Sequence, residues 1–180
     1  MDFFEGIIAT LLEAEGYWVR RSFKIDLTKE EKRAIGKHSI PRPEIDLLAF
    51  SQTRNGLIAL EAKSFLDSSG VKLKTLKEKH EIPEGRYKLF TCDRYRDIAL
   101  KRLHRDLMAA GMADNNTSIS LGLAAGNVHK GETAAIRDFM ENNGWFFWSP
   151  EDIKTKVKSL AERGYENDPA IITAKILIRD

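Results

Sequence analysis

Cysteine is nearly absent from this sequence, since Cys92 is the one thiol in 180 residues. A single cysteine excludes an intramolecular disulfide and provides no cysteine pair for a zinc knuckle. The four histidines show no spacing typical of a zinc site. The chain is long enough to bury a core of its own without such cross-links, and we expect one domain over residues 1–180.

Long apolar runs and targeting signals are also missing. The first residues, MDFFEGII, include an acid where a secretory signal is basic, and no stretch approaches the roughly 20 apolar residues of a membrane span. G-x-S-x-G and GxxxxGK[ST] strings are absent, so neither a hydrolase nucleophile elbow nor a P-loop is predicted. Together with the lone cysteine, these absences predict a cytoplasmic protein with no membrane partner.

Charged residues are frequent, at 31%, but the net charge is only +2, which does not by itself demand a polyanionic partner. The basic residues are unevenly distributed and cluster after residue 70. A solvated helix face and a nucleic-acid surface explain such a cluster about equally well. The candidate phosphate contacts in this region are Lys72, Lys74, Lys77, Arg94 and Arg96.

The order of predicted helices and strands indicates an α/β fold. Apolar residues at helical spacing predict the helices, and short apolar runs bounded by turn residues predict the strands. Strands that alternate with helices after an initial meander predict a mixed central sheet with helices on both faces. The predicted helices cover 2–15, 70–80, 93–111, 131–144 and the segments that begin at Ser149 and Asp168, and the predicted strands cover 17–27, 45–52, 57–65, 86–92, 118–125 and 145–149.

The segment PEIDLLAFSQTRNGLIALEAK, residues 43–63, predicts a hairpin that carries three charged residues. Asn55-Gly56 supplies the positive φ values of a two-residue turn, which would place residue 54 opposite 57. Directly paired residues, and residues two apart on one strand, project to the same face of a sheet. Asp46, Glu61 and Lys63 therefore share one face, with Asp46 diagonal to Lys63 at about 7–8 Å. A four-residue loop would keep this parity, whereas an odd loop would destroy it.

These charges require an explanation, because burying them on an otherwise apolar strand face would be costly. One explanation is a solvent-filled cleft in which the carboxylates hold a divalent cation. Mg²⁺ takes one or two carboxylates and completes its coordination shell with water and substrate phosphate. An adjacent lysine would orient or deprotonate the attacking water and offset developing negative charge. On the first helix, Glu5 falls at the edge of the apolar arc and is a further candidate acid.

These residues resemble the PD-(D/E)xK nuclease superfamily, which has the restriction-endonuclease-like fold. FFEGIIATLLEAEGYWV is similar to the family's first helix and strand, PEID to the strand that bears the aspartate, and LEAK to the E-x-K strand. The resemblance implies an endonuclease that uses Mg²⁺, or Mn²⁺ as a substitute, to cut DNA. The implied metal ligands are Asp46, Glu61 and the backbone carbonyl of Ala62. The implied catalytic lysine is Lys63, with Glu5 as an accessory acid.

The resemblance covers residues 2–92 as the nuclease core and leaves 93–180 as a C-terminal α/β elaboration. Two features depart from the family pattern. Glu44 and Ile45 separate Pro43 from Asp46, whereas the family's aspartate often follows proline directly, and the helix after LEAK has no obvious glutamine or tyrosine. Because Glu44 shares a strand face with Asp46, it is a candidate spare metal ligand, as is Glu5.

Other interpretations remain open at this point. Glu61 and Lys63 are also explained as charges that protect a sheet edge, although this accounts poorly for a third charge on the same face. If the protein has this fold but no catalytic activity, it would be a silent module that binds nucleic acid or protein in a defence or repair assembly. The sequence does not separate DNA from RNA as the substrate, and a homodimer would suit duplex cleavage by analogy with the fold.

Overall fold

A computed structural model describes residues 2–164 and 166–178, and its centre is one five-stranded sheet. The strands follow chain order across the sheet, so each lies next to its predecessor. The strands are β1 (Trp18–Lys24), β2 (Glu44–Ser51), β3 (Gly56–Lys63), β4 (Ser118–Ala125) and β5 (Phe146–Trp148). The helices are α1 (Phe3–Ala14), α2 (Lys29–Ala34), α3 (Leu73–Leu76), α4 (Lys88–Thr91), α5 (Asp93–Ala109), α6 (Thr133–Asn142), α7 (Pro150–Leu160) and α8 (Pro169–Ile178).

The sheet is mixed. β1, β2 and β3 form an antiparallel meander, whereas β3, β4 and β5 run parallel to one another. A parallel pair needs a crossover connection, and the segments that contain α5 and α6 provide these connections. The prediction of an α/β fold with a mixed sheet flanked by helices is therefore confirmed.

Helices cover both faces of the sheet and divide the core into two layers. On one face, Leu12 of α1 and Leu160 of α7 pack in the layer that contains Leu47. On the other face, Leu103 of α5 packs in the layer that contains Leu48. Neighbouring strand residues thus belong to opposite layers, as the two-residue period of a strand requires. Within the described residues, no helix is both long and apolar enough to cross a membrane.

The start of α7 follows the signal in the sequence. At the start of α7, the Asp152 amide donates to the Ser149 hydroxyl at 3.2 Å, and the Asp152 carboxylate accepts from the Ser149 amide at 2.8 Å. Pro150 occupies the first turn of this helix, where its missing N–H has no cost. The predicted start at Ser149 is confirmed, because such a capping box depends only on contacts within a few residues.

Two predicted elements are wrong. Residues 86–92 contain the short helix α4 instead of a strand, and the amides of Phe90 and Thr91 both donate to the Tyr87 carbonyl. A short apolar run without alternation suits a buried helical turn as well as a strand, and β4 occupies the place beside β3. The Lys-rich helix predicted over 70–80 is reduced to the single turn of α3.

Candidate functional site

The connection between β2 and β3 sets the positions of the predicted catalytic residues. Ser51 lies opposite Gly56, so the loop consists of the four residues 52–55, and the predicted two-residue turn is wrong. Asn55 closes this loop in the left-handed conformation, with φ of +43°, as asparagine tolerates better than most residues. The four-residue loop keeps the predicted parity, so the three charged residues stay on one face of the sheet.

Asp46, Glu61 and Lys63 meet at the end of β3 and form an ion cluster. The observed register, extended by one step, places Asp46 beside Glu61. Oδ2 of Asp46 accepts hydrogen bonds from Nζ of Lys63 at 3.0 Å and from the Ala62 amide at 2.9 Å. Nζ of Lys63 also lies 2.8 Å from Oε2 of Glu61. The longer loop moves Asp46 from the predicted position opposite residue 65 to the position opposite Glu61, but Asp46 stays diagonal to Lys63 as predicted. The long Lys63 side chain spans this diagonal and reaches the Asp46 carboxylate.

The ion cluster is partly buried at a position where solvent still has access. The side chains of Asp46, Glu61 and Lys63 are 18%, 14% and 20% exposed. They lie on the sheet face that packs against α5, at the carboxyl ends of the parallel strands β3 and β4. Ligand sites of open α/β sheets are commonly found at this end of the strands.

Burial and mutual attraction act on the ion cluster in opposite directions. Burial raises the pKa of Glu61 above its ordinary value; Lys63 offsets part of the rise, and Asp46 adds to it. Burial alone would lower the pKa of Lys63, but Glu61 and Asp46 outweigh it and raise this pKa above its ordinary value. The ammonium therefore stays charged at neutral pH and acts as a hydrogen-bond donor. Both lysine roles that the sequence suggests, orientation and deprotonation of the attacking water, stay predictions.

Glu5 approaches the ion cluster from the opposite layer. α1 packs on the other sheet face, but its first turn lies at the same end of the sheet, where the Phe4 ring lies close to Gly126 at the end of β4. Burial raises the pKa of Glu5, and Asp46 is the next contributor to the rise. The Glu5 carboxylate is thus within electrostatic reach of Asp46, and its accessory role stays a prediction.

Glu44 lies beside the ion cluster without joining it. Its side chain is 45% exposed and lies 4.0 Å from Nζ of Lys24 on β1. Glu44 and Glu61 line the same cavity, which has a volume of about 180 Å³. Its role as a spare metal ligand stays a prediction.

The five predicted phosphate contacts do not touch the ion cluster. Arg96 is already engaged, because its guanidinium lies 2.8 Å from the Asp93 carboxylate and 5.4 Å from the centre of the Trp145 ring. Arg96 therefore braces α5 against the segment that leads into β5. The remaining four are exposed: Lys72, Lys74, Lys77 and Arg94. Of these, Lys77 also has its ammonium 5.5 Å from the centre of the Phe139 ring.

The sequence interpretation missed several residues beside Glu61. Burial raises the pKa of Tyr95 to about 12, and Glu61 adds to the rise. Burial also raises the pKa of Tyr87, and Lys63 and Arg86 oppose that rise. Arg86 and Tyr87 lie in the segment 86–92 that was predicted to be a strand, and Tyr95 lies shortly after it. No pattern in the sequence distinguishes them, because non-local packing brings them to Glu61.

The donor set of the ion cluster suits a hard divalent cation. Among the described residues, Oδ1 of Asp46 accepts no hydrogen bond, since both of its bonds end on Oδ2. Carboxylate oxygens are the ligands that Mg²⁺ and Mn²⁺ prefer in proteins. In the part of the chain that the structure describes, no group of three or more His, Cys, Asp or Glu is arranged to hold a metal ion. Asp46 and Glu61 fit an ion that takes its other ligands from water and substrate, and the Ala62 carbonyl as a ligand stays a prediction.

In comparisons with known proteins, no family model, curated protein or solved structure matches this chain. The assignment of a function therefore depends on the sequence pattern and on the geometry of the ion cluster.

Proposed function

We propose that this protein is a divalent-metal-dependent endonuclease that hydrolyses DNA phosphodiester bonds, with a restriction-endonuclease-like core. The contact of Lys63 with the carboxylates of Asp46 and Glu61 carries the proposal. It joins, at the end of one strand, the groups that phosphodiester hydrolysis needs: two carboxylates for a hard cation and an ammonium for developing negative charge.

The surroundings of each residue support a separate role. Asp46 and Glu61 would hold Mg²⁺, which when bound polarises the phosphate and makes an attacking water more acidic. The Ala62 amide holds the Asp46 carboxylate in one orientation through its 2.9 Å hydrogen bond. Lys63, as a charged ammonium, would orient the water and stabilise negative charge on the phosphate. Glu5 would add negative charge beside Asp46 and strengthen cation binding.

The order of the elements supports the same proposal. α1, the antiparallel β1–β3 meander and a helical crossover to a strand parallel to β3 follow the order that the resemblance implies. β4 takes the place of the strand predicted over 86–92, so the nuclease core would extend beyond residue 92. The placement of Asp46 and Lys63 at the shared end of β2 and β3 supports the roles that the resemblance implies.

One observation favours the alternative, a catalytically silent module that binds nucleic acid or protein. Lys63 already neutralises part of the charge of Asp46 and Glu61, and such an ion cluster is a structural element that requires no metal. A silent module would bind nucleic acid with strong salt dependence but without turnover.

A cleavage assay separates the two functions. Supercoiled, linear, single-stranded and branched DNA, together with RNA, would be incubated with Mg²⁺ or Mn²⁺, and EDTA and Lys63→Ala would serve as negative controls. Lys154→Ala is the matched control, because Lys154 is exposed on α7 in the opposite layer. We expect cleavage by the wild type and by Lys154→Ala alone. Cleavage by a folded Lys63→Ala variant would contradict the proposal, and binding without any cleavage would favour the silent module.

A further inference from the structure

A small cavity lies beside Glu61, next to the ion cluster. Its volume of about 180 Å³ is well below the roughly 300–1,000 Å³ of sites that enclose whole small molecules. A cavity of this size admits a compact group such as a phosphate and is too small for a nucleoside. Its charged lining residues are Arg42, Glu44, Glu61, Arg86 and Lys88.

The three cations of this cavity differ in whether they have a partner. Arg42 is paired with Asp26, with Nε 2.8 Å from Oδ1. Arg86 and Lys88 form no ion pair with any residue in 2–164 or 166–178. Lys88 is only partly exposed, so its charge acts on an anion with less screening than that of a fully solvated lysine.

Arg86 is held at the cavity by the loop that follows β3. Its guanidinium lies 5.6 Å from the centre of the Phe65 ring, within the range of a cation–π interaction. Phe65 has φ of +43°, which a bulky residue adopts only where its surroundings enforce it. The Asn127 side chain donates to the Phe65 carbonyl at 3.2 Å and provides part of that enforcement. The loop thus presents Phe65 to Arg86 two residues after Lys63.

The acids of the cavity lie closest to cations other than Arg86 and Lys88. Glu61 is paired with Lys63, and Glu44 is oriented to Lys24 on β1. A group that enters the cavity therefore meets a guanidinium and an ammonium that form no ion pair within the described residues. This pair complements the oxygens of a phosphate, since arginine binds two of them at once and lysine supplies a compact charge.

We propose that Arg86 and Lys88 bind a phosphate group of the nucleic-acid strand in this cavity, beside the ion cluster. The assignment of the phosphate to a nucleic acid rests on the proposed nuclease function, whereas the anion site itself does not. The phosphate is either an internal diester next to the bond that is cut or the terminal phosphate of a strand. In both cases, the site would fix the position of the strand relative to Asp46 and Glu61.

Binding of inorganic phosphate in the absence of metal tests this anion site separately from catalysis. Calorimetry would compare the wild type, the double variant Arg86→Gln/Lys88→Gln and the matched control Lys154→Gln/Lys158→Gln, which removes two exposed charges from α7. We expect saturable binding by the wild type and the control, and roughly tenfold weaker binding by the double variant. No binding by the wild type, or equal binding by all three proteins, would overturn the proposal. If the double variant does not fold, each single variant is expected to weaken binding in the same direction.

Oligonucleotides identify the source of the phosphate. Linear strands with a 5′-phosphate, linear strands with a 5′-hydroxyl and circular single strands would be bound in EDTA, so that none is cleaved. A terminal phosphate is indicated if its removal weakens wild-type binding roughly tenfold but leaves the double variant unaffected. An internal diester is indicated if all strands bind alike and the double variant depends less on salt. Its plot of the logarithm of the association constant against the logarithm of the salt concentration should be shallower by about 0.7. A double variant with unchanged affinity and slope would contradict both.

The outcomes also separate this site from the proposed catalytic activity. In one outcome, cleavage depends on Lys63, but the Arg86→Gln/Lys88→Gln variant cleaves normally and binds phosphate like the wild type. This outcome would support the nuclease function and overturn the phosphate site. Phosphate binding that depends on Arg86 and Lys88, in a protein that cleaves no nucleic acid, would retain the anion site and contradict the nuclease function.

Discussion

Oδ2 of Asp46 lies 3.0 Å from Nζ of Lys63, although the two residues are 17 positions apart in the chain. The contact exists because β2 and β3 pair across a four-residue loop, which brings the start of one strand to the end of the other. A cation held by Asp46 and Glu61 would therefore share these two carboxylates with the Lys63 ammonium. The stability of the protein and its affinity for metal are linked through this one contact.

Lys63→Ala should destabilise the protein in a way that Mg²⁺ partly reverses. Loss of the ammonium leaves two adjacent carboxylates without their partner. Because these side chains are 14–18% exposed, we expect a loss of about 1–3 kcal/mol, less than for a fully buried pair. Millimolar Mg²⁺ would replace the missing charge and should stabilise the variant more than it stabilises the wild type.

Urea unfolding with and without Mg²⁺ measures this effect, with Lys154→Ala as the control. A Lys63→Ala variant whose free energy of unfolding does not respond to Mg²⁺ or Mn²⁺ would argue against a metal site at Asp46 and Glu61.

Gly126→Ala should separate Glu5 from the end of β3. A Cβ atom at Gly126 would lie 2.5 Å from the Ser64 carbonyl oxygen and 3.0 Å from the Phe4 ring. Since Glu5 follows Phe4 on α1, relief of this overlap would shift Glu5 away from Asp46. We expect a destabilisation of about 1–3 kcal/mol and a lower rate of cleavage at saturating Mg²⁺.

Gly164→Ala is the matched control for this substitution, because a Cβ there would meet no atom of the residues that the structure describes within 4 Å. The two variants would be compared by urea unfolding and by initial cleavage rate. Equal stability of Gly126→Ala and the wild type would show that α1 and β3 are not packed as closely as described.

Asn55→Ala should weaken the hairpin loop without moving its register. The Asn55 side chain donates to the Asp114 carboxylate at 3.1 Å and accepts from the Thr117 hydroxyl at 3.0 Å. Alanine loses both bonds and tolerates the left-handed conformation, with φ of +43°, less well than asparagine does. We expect a destabilisation of about 1–2 kcal/mol, of which Asn55→Gly should recover part because glycine tolerates this conformation.

Urea unfolding of both variants tests this expectation. Cleavage should be retained, because the four-residue loop itself is unchanged. An alanine variant more stable than the glycine variant would mean that strain at this position is not significant.

The contribution of Asp152 to stability should disappear in acid. Burial alone would raise the pKa of this carboxyl, but hydrogen bonds from Arg137 and Ser149 outweigh it, and the pKa is lowered overall. A group with a depressed folded-state pKa stabilises the protein above its unfolded-state pKa, near 3.8, and this stabilisation is lost as the pH falls through the folded value. The difference in melting temperature between the wild type and Asp152→Ala should therefore be largest near neutral pH and shrink below about pH 4.

Melting curves between pH 3 and pH 7 would measure the difference, with Asp138→Ala as the control, since Asp138 is exposed on α6. A difference for Asp152→Ala that is constant over this range would show that the carboxylate contributes packing alone.

Much of the site's arrangement could be predicted because it depends on the strand period. Asp46, Glu61 and Lys63 share a face whether the loop contains two or four residues, since both lengths preserve parity. Which residue faces Asp46 could not be predicted, because loop length sets the register and Asn55-Gly56 suits more than one loop. The position of Glu5 near Asp46 required the packing of α1 at the end of the sheet.

The segment from Arg86 to Cys92 shows the opposite case. Its apolar residues are buried in a short helix, and periodicity alone does not distinguish such a run from a strand. Because it is helical, the segment leaves the sheet and places Arg86 and Lys88 at the cavity beside Glu61. No local pattern in the sequence contains this information.

The sequence by itself determined the α/β class, the helix start at Ser149 and the shared face of Asp46, Glu61 and Lys63. These features follow from hydrogen bonds and periodicities that span a few residues. Only the tertiary structure decided that Lys63 touches both carboxylates, that β4 follows the meander in the sheet, and that two cations with no ion pair to the described residues lie beside Glu61. These depend on contacts between segments far apart in the chain, which form only when the helices pack on both faces of the sheet.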